Sequence, residues 1–257
     1  MDAVILSDER TSLAQRGEVS TIFPFASVTK LFAAYASLVA VDRHLVSLDD
    51  EAGPATVRHL LGHASGLPFE SGATLAAPGK RRIYSNLGIE VLGDHVAAHV
   101  GMSFQEWIED TVLLPLGLST VMIDGSPAYS GEGSATDLAA FARELLAPTL
   151  VSEDLVAEAT SLSFGELPGV LPGFGRQANN AWGLGFELRA TKDPHWLSAD
   201  FSADTFGHFG QSGSFLWVDP DVGLAGVYLG DTPFGQKHKD TWPELTRRMR
   251  EGIVPAS

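Results

Sequence analysis

The stretch FASVTKLFAAYASLVAV, residues 25–41, joins a polar start to the longest apolar run in the chain. Serine is a favoured N-cap and the residues after it are rich in Ala and Leu, so we predict a helix from about Ser27 to Val41. The apolar part, residues 31–41, is too short to span a bilayer. We therefore expect this segment to form a buried core helix.

The start of this helix holds a serine and a lysine three residues apart, Ser27 and Lys30. Positions i and i+3 share a helix face, so the hydroxyl and the amine can meet. Serine is a weak nucleophile without a neighbouring base, and lysine becomes a useful base when apolar surroundings lower its pKa. The pair therefore predicts nucleophilic catalysis. The alternative is a lysine that snorkels at a helix start.

The composition is that of a globular protein with a large acidic excess. The 257 residues are 44% hydrophobic and 19% charged, and the formal net charge is −15. This charge repels nucleic acid and anionic lipid, so we expect neither nucleic acid nor a membrane as a partner. The sequence has no cysteine, which excludes thiol catalysis and zinc–thiolate sites. The first residues lack the features of a secretory signal, so we expect a cytoplasmic location.

The remaining sequence pattern places strands at both ends of the chain and helices in the middle. Residues 2–7 and about 17–25 are predicted to be strands, as are three apolar runs in the last third of the chain. Segments within residues 49–150 carry apolar side chains at three- and four-residue intervals, which predicts helices. Residues 163–185 are predicted to be a loop, and residues 239–253 a final helix.

This element order predicts an α+β fold, in which strands from both ends of the chain form one sheet. We expect a single catalytic domain over residues 1–257. Its α/β part would cover about 1–45 and 176–257, and its helical part about 46–175.

Two further motifs carry side chains suited to hydrolysis. In Tyr84-Ser-Asn86, a phenol near a lysine can relay a proton, and the amide can bind the lysine or a substrate carbonyl. The alternative for this motif is an ordinary turn. In His208-Phe-Gly210, the histidine precedes a predicted strand, and a glycine there lets a backbone edge approach a ligand closely.

Two histidine pairs have the i, i+4 spacing that lets two rings face one metal ion: His59/His63 and His95/His99. Neither pair has a glutamate beside its first histidine, and no third ligand is evident. We therefore expect surface or packing histidines and no metal site. A metalloprotein built on such a pair is the least favoured alternative.

The serine, tyrosine and histidine motifs, in this order, resemble those of the serine β-lactamase and penicillin-binding-protein superfamily. Tyr84 at the start of the second motif is similar to the class C β-lactamase branch. That branch has D-alanyl-D-alanine carboxypeptidase, family VIII esterase and D-aminopeptidase relatives. Other stretches that resemble family blocks are VRHLLGHASGLP, PGKRRIYSNLGIEVLG, LPLGLSTVMI, GSATDLAAFARELL, WGLGFEL and GHFGQSGSFLWVDPDVG.

The resemblance implies a β-lactamase/transpeptidase-like fold, with an antiparallel sheet flanked by helices and an inserted all-helical subdomain. The site would lie between these two parts. It implies that Ser27 is the nucleophile, that Lys30 is its base and that Tyr84 relays a proton to the leaving group. Asn86 would orient Lys30 and the substrate. No cofactor is implied.

The third motif departs from the β-lactamase pattern, since His208 stands where β-lactamases carry a lysine. A lysine ammonium helps to hold a substrate carboxylate, whereas a histidine is mostly neutral near pH 7. The H-x-G form, completed by Gly210, is typical of the esterase and peptidase relatives. The resemblance also implies an oxyanion hole formed by the backbone N–H groups of Ser27 and Gln211.

Together these residues favour a serine acyl hydrolase that forms an acyl-enzyme at Ser27 on small esters or amides. The runner-up is a β-lactamase, a D-Ala-type carboxypeptidase or a D-aminopeptidase. The alternative from another class is a catalytically silent homologue that only binds a ligand. The sequence leaves the natural small-molecule substrate and the oligomeric state open.

Overall fold

A six-stranded antiparallel sheet forms the frame of the protein in the computed structural model, which describes residues 1–255. The strands of the described chain are β1 (Asp2–Ser7), β2 (Ser12–Gly17), β3 (Ile22–Pro24), β4 (Glu51–Ala52), β5 (Ala55–Thr56), β6 (Glu132–Ser134), β7 (Gly169–Leu171), β8 (Gly175–Gln177), β9 (Glu187–Leu188), β10 (Phe206–Gly210), β11 (Ser214–Asp219) and β12 (Leu224–Gly230). Its α-helices are α1 (Thr29–Asp42), α2 (Val57–Leu61), α3 (Asn86–Val100), α4 (Phe104–Ile108), α5 (Leu114–Leu116), α6 (Ala135–Leu146), α7 (Glu153–Ala159) and α8 (Gln236–Arg250).

Strands from both ends of the chain build the main sheet, as the sequence predicts. The strand order is β2-β1-β12-β11-β10-β9, and each neighbouring pair is antiparallel. Ala3 lies opposite Leu229, and Phe206 lies opposite Val218. The α+β class and the sheet built from both termini are therefore confirmed.

The second strand differs from its predicted position at about 17–25. It is β2, over Ser12–Gly17, because Asp8 closes a tight turn directly after β1. The Asp8 Oδ1 atom accepts hydrogen bonds from the Arg10 N–H at 2.8 Å and the Thr11 N–H at 2.7 Å. β2 is a polar edge strand with mostly exposed side chains, so it lacks the apolar signal used in the prediction. Within the predicted range, β3 forms a separate pair with β6.

The sheet separates two apolar cores, because successive side chains of β1 point to opposite faces. Ala3 and Ile5 join the larger core, which contains the side chains of α1. Val4 and Leu6 join the second core, together with Trp242 of α8. In α1, all residues from Thr29 to Ala40 are buried, so the expectation of a core helix is confirmed.

Four predicted helical segments between residues 49 and 150 form α2, α3, α4 and α6. The helix α6 lies inside the predicted helical part, residues 46–175, yet it packs on β1, β11 and β12. The boundaries between the two parts stay a prediction. Among the helices of the described chain, none combines the length and the apolarity needed to cross a membrane.

Two local predictions are wrong in detail. Ser27 does not cap α1: it lies in a 3-10 turn over Ala26–Val28, and α1 starts only at Thr29, without a side-chain cap. The segment 163–185 is not entirely loop, since β7 and β8 pair there as a short hairpin. One of its glycines, Gly173, lies in the turn between those strands with a φ of 79°.

Candidate active site

Ser27 lies in the turn between β3 and α1, and this turn is tied to a neighbouring loop. The Phe25 N–H donates to the Gly131 carbonyl at 2.7 Å. The Thr29 hydroxyl donates to the Ala26 carbonyl at 2.6 Å and accepts the Gly131 N–H at 2.9 Å. Ala26 has a φ of 46°, a left-handed conformation that residues with a Cβ rarely adopt. The residue before Ser27 is therefore held in a strained conformation, as often occurs at active sites.

Lys30 is directed at Ser27 and at two uncharged oxygens. Its Nζ atom lies 3.4 Å from the Ser27 Oγ atom, and it donates to the Asn86 Oδ1 atom at 2.6 Å and to the Ala128 carbonyl at 2.8 Å. The residue is 1% exposed. Burial lowers the pKa of Lys30 to about 7, against a smaller opposing effect of the Glu90 carboxylate. Near pH 7, a large share of this amine is neutral and can accept a proton.

Tyr84 lies beside the Ser27–Lys30 pair. The Lys30 Nζ atom is 4.7 Å from the centre of the tyrosine ring. The Tyr84 Oη atom is buried and has no hydrogen-bond partner in the described part of the chain. Burial raises the pKa of Tyr84, although the nearby Ser27 hydroxyl opposes this shift. The phenol is therefore protonated at neutral pH and is suited to donate a proton rather than to act as a phenolate base.

The start of α3 fixes Asn86 behind the serine. The hydroxyl of Ser85 accepts the Gly88 N–H at 2.8 Å and donates to the Pro68 carbonyl at 2.6 Å. This N-cap makes Asn86 the first residue of the helix, where it is buried with its side-chain oxygen on Lys30. The predicted contact between Asn86 and Lys30 is present.

The third motif lies within β10, where His208 is opposite Leu216 of β11. The prediction that His208 precedes a strand is therefore wrong, because the ladder with β11 starts at Phe206. The His208 Nδ1 atom donates to the Phe209 carbonyl at 2.6 Å, so Nε2 is the unprotonated nitrogen. That Nε2 atom is buried and has no partner among residues 1–255.

Burial, assisted by the charge on Lys30, lowers the pKa of His208 to about 4. The ring is therefore neutral at pH 7 and offers a hydrogen-bond acceptor instead of a positive charge. His208 and Trp182 line one side of Tyr84, with ring centres 5.6 and 6.0 Å from it.

Gly210 is the last residue of β10, and it lies against the turn that carries Ser27. A Cβ atom at this position would lie 2.3 Å from the Phe25 carbonyl oxygen and 2.5 Å from the Ser214 Oγ atom. The Ser214 hydroxyl also donates to the Phe25 carbonyl at 2.8 Å. Only glycine allows this close approach. Gln211, the next residue, therefore starts beside the turn that carries Ser27.

A cleft of about 590 Å³ opens over these groups. Ser27, Tyr84, His208 and Gln211 line it, while Lys30 lies buried behind it. The apolar side chains of the cleft are Phe69, Ile83, Val170, Leu171, Pro172, Trp182 and Phe209. The structure thus brings the residues of all three sequence motifs together around one apolar cleft.

Sequence analysis missed the polar cluster at Glu187, which also borders the cleft. The Glu187 carboxylate accepts hydrogen bonds from Lys192, His195 and Trp196, each at 2.8 Å. Burial alone would raise the pKa of Glu187, but Lys192 and His195 together hold it well below its usual range. A glutamate inside the apolar run WGLGFEL is the available sequence signal for this cluster.

The histidine pair His59/His63 does not share one helix face. The helix α2 ends at Leu61, and His63 takes a left-handed φ of 51°. His63 is buried beside Tyr84 and accepts the N–H of Ser85 at 3.2 Å. The expectation of packing histidines fits this pair.

Known proteins resemble this chain in sequence and in fold. The sequence model of the beta-lactamase family matches residues 15–247. The crystal structure of a beta-lactamase from Mycobacterium bovis is 44% identical, with a TM-score of 0.96, and the match covers 99% of this chain and 95% of that one.

Two more distant matches extend the comparison. Penicillin-binding protein 4* of Bacillus subtilis is 23% identical over an alignment of 141 positions, which covers 41% of this chain and 31% of that protein. The alignment thus spans less than a third of this curated relative. EstCE1, a hydrolase with promiscuous acyltransferase activity, is 15% identical with a TM-score of 0.77, covering 99% of this chain and 93% of that one. This last similarity is one of fold alone.

Proposed function

Because the chain belongs to the beta-lactamase family, we propose that it is a serine acyl hydrolase that uses Ser27 as nucleophile on small esters or amides. The observation that carries the proposal is the lowered pKa of the Lys30 amine and its position beside the Ser27 hydroxyl. Its amine is buried, has a pKa lowered to about 7 and lies 3.4 Å from the Ser27 hydroxyl oxygen. A lysine with an ordinary pKa would be protonated at neutral pH and could not accept the serine proton.

In the first step, the Ser27 Oγ atom attacks the substrate carbonyl carbon while its proton passes to the neutral amine of Lys30. The carbonyl π electrons move to oxygen, and the backbone N–H groups of Ser27 and Gln211 stabilise the resulting oxyanion. Each such donor contributes about 2.7–4 kcal/mol to transition-state stabilisation. The contacts from Asn86 and Ala128 keep the amine in place during this transfer.

In the second step, the bond to the leaving group breaks as the carbonyl re-forms. Tyr84, which is protonated at neutral pH, gives its proton to the departing oxygen or nitrogen and regains one from the Lys30 ammonium. The product is an ester on Ser27. A water molecule then attacks this acyl-enzyme, which releases the acid and restores the serine.

The walls of the cleft support the choice of substrate class. They are mainly apolar, so they favour an apolar acyl or leaving group. His208 is neutral and presents a free acceptor nitrogen, so it favours a substrate N–H or O–H over a carboxylate. Arg81 and Arg82 also line the cleft and add positive charge to it. These features together support small esters or amides as substrates.

A β-lactamase activity is the second candidate. The observation in its favour is the 44% identity to a protein described as a beta-lactamase. The acylation chemistry at Ser27 would be the same, with the lactam nitrogen as the leaving group. The two candidates differ in substrate preference alone, so they are separated by parallel assays.

Intact-protein mass spectrometry after incubation with a fluorophosphonate tests the proposal. We expect one adduct on the wild-type chain and none on Ser27→Ala. Lys30→Ala should form the adduct much more slowly at pH 7, while a loss of thermal stability alone would make Lys30 structural. A wild-type chain without an adduct would overturn the proposal and favour a silent ligand-binding homologue.

Substrate panels then assign the activity. p-Nitrophenyl esters, nitrocefin and D-amino-acid amides are compared on the same preparation, with Ser27→Ala as the blank. The highest kcat/KM on the esters supports the leading assignment. The highest kcat/KM on nitrocefin supports a β-lactamase, and the highest on the amides supports an aminopeptidase.

A further inference from the structure

The second half of α3 carries two histidines one turn apart, and a loop carboxylate lies beside them. The candidate ligand atoms of Asp50, His95 and His99 all lie within 4.8 Å of one another. Asp50 directly precedes β4 and is far from these histidines in sequence. The sequence showed no third ligand for this pair, and the fold places the Asp50 carboxylate beside it.

Hydrogen bonds hold two of the three side chains in place. The His99 Nδ1 atom donates to the His95 carbonyl at 2.8 Å, which leaves its Nε2 atom unprotonated. The Asp50 Oδ2 atom accepts the Ser47 N–H at 2.7 Å, which orients the carboxylate. Outer contacts of this kind typically position metal ligands.

His95 completes the arrangement. Its Nε2 atom is buried and has no hydrogen-bond partner in the described chain, and it lies 3.7 Å from the Asp50 Oδ2 atom. That distance is too long for a hydrogen bond. A neutral imidazole beside a carboxylate is a donor set for a metal ion.

We propose that Asp50, His95 and His99 bind one divalent transition-metal ion, with Zn²⁺ as the best fit. Two imidazoles and one carboxylate suit zinc and its neighbours in the first transition row, whereas calcium and magnesium prefer oxygen ligands alone. Tetrahedral ligands at zinc distances lie about 3.4 Å apart, so the three side chains must close by roughly 1 Å. His99 lies in the last turn of α3, where the helix dipole also favours a cation.

The bound ion would join the loop before β4 to α3. Because α3 begins at Asn86, which holds Lys30, the ion would cross-link the scaffold without touching the reacting atoms. Its expected effect is on thermal stability, since a ligand that binds only the folded state stabilises it. The hydrolytic proposal and the metal proposal can therefore be tested independently of each other.

Isothermal titration calorimetry with Zn²⁺ tests the site. The chain carries no histidine tag, and it is stripped with a chelator and dialysed before the titration. We expect one Zn²⁺ per wild-type chain, and binding to His99→Gln and Asp50→Asn weakened by at least roughly tenfold. The matched control is His59→Gln, in the second i, i+4 pair, which should bind Zn²⁺ like the wild type.

Thermal melting with and without Zn²⁺ gives a second readout, and circular dichroism checks that each variant is folded. Zn²⁺ should raise the Tm of wild type and His59→Gln and leave that of His99→Gln unchanged. Three results would overturn the proposal: no wild-type binding, binding unaffected in both site variants, or binding lost in His59→Gln. Ester hydrolysis by His99→Gln should equal that of the wild type.

Discussion

The substitution Asn86→Asp places a carboxylate against the proposed base. The Asn86 Oδ1 atom lies 2.6 Å from the Lys30 Nζ atom, inside a buried region. Aspartate has nearly the same shape as asparagine, so the change adds a charge without a new cavity. An adjacent negative charge favours the ammonium form of Lys30 and raises its pKa.

The expected loss of kcat/KM follows from the change in the pKa of Lys30. The wild-type pKa of Lys30 is lowered to about 7. A carboxylate in direct contact shifts a pKa by about 1–3 units, so about 8–10 is expected for the variant. The neutral fraction of the amine at pH 7 then falls from about one half to between one in ten and one in a thousand. The kcat/KM at pH 7 should therefore fall about 5- to 500-fold, by the tenfold population change that accompanies each unit.

The pH profile of kcat/KM on a p-nitrophenyl ester measures this shift, because its acidic limb reports the free enzyme. Wild-type activity should fall as pH decreases through about 7. In Asn86→Asp, the same limb should move to higher pH, and activity should recover in alkaline buffer. Glu90→Gln is a control variant with the opposite expected shift. It removes the carboxylate that raises the pKa of Lys30, so the acidic limb should move to lower pH.

Two results would refute the reasoning. If Asn86→Asp loses activity equally at every pH, the asparagine acts on the substrate and not through the lysine pKa. If both variants keep the wild-type midpoint, the acidic limb belongs to another group and Lys30 is not the base.

Three other substitutions test separate parts of the site. Gly210→Ala should reduce kcat by at least about 100-fold, since its Cβ atom would displace the turn that carries Ser27 and the oxyanion hole. Gly235→Ala should keep wild-type kcat, because its Cβ atom would only touch the Pro233 carbonyl oxygen at 3.9 Å. His208→Lys should lower the KM for carboxylate-bearing substrates relative to neutral esters, and an unchanged ratio would remove the explanation given for the third motif. Glu187→Gln breaks a buried ion cluster and should cost about 3–5 kcal/mol of stability. Glu244→Gln, which breaks an exposed ion pair, should leave the Tm of the protein nearly unchanged, and equal Tm values for these two variants would contradict this view of the cluster.

Local patterns predicted the core elements well. The helix α1 and the helices between residues 49 and 150 follow from apolar spacing, because that spacing is a property of consecutive residues. The central strands of the sheet likewise have apolar runs. The strand β2 was placed wrongly because an exposed edge strand needs no apolar side chains. Its position depends on the turn at Asp8 and on pairing with β1.

The environment of the proposed base depends on contacts between distant parts of the chain. The two oxygens that bind Lys30 are 56 and 98 residues away from it in sequence. Asn86 was predicted because it belongs to a motif, whereas Ala128 contributes only a backbone carbonyl and has no side-chain signal. The same reasoning applies to Asp50, whose proximity to His95 and His99 is created by the packing of a loop on α3. Residue type and spacing indicate candidates, but only the tertiary fold brings such partners together.

The position of β1 has a consequence for biosynthesis. Among the strands of the main sheet, β1 is synthesised first, yet one of its edges pairs with β12, and Ala3 lies opposite Leu229. Its apolar side chains stay without their final neighbours until β12 has been translated. Contacts so distant in sequence slow folding and prolong the exposure of an aggregation-prone segment. We therefore expect the nascent chain to gain activity only after β12 has left the ribosome, and its yield in cells to depend on chaperones that shield β1 until then.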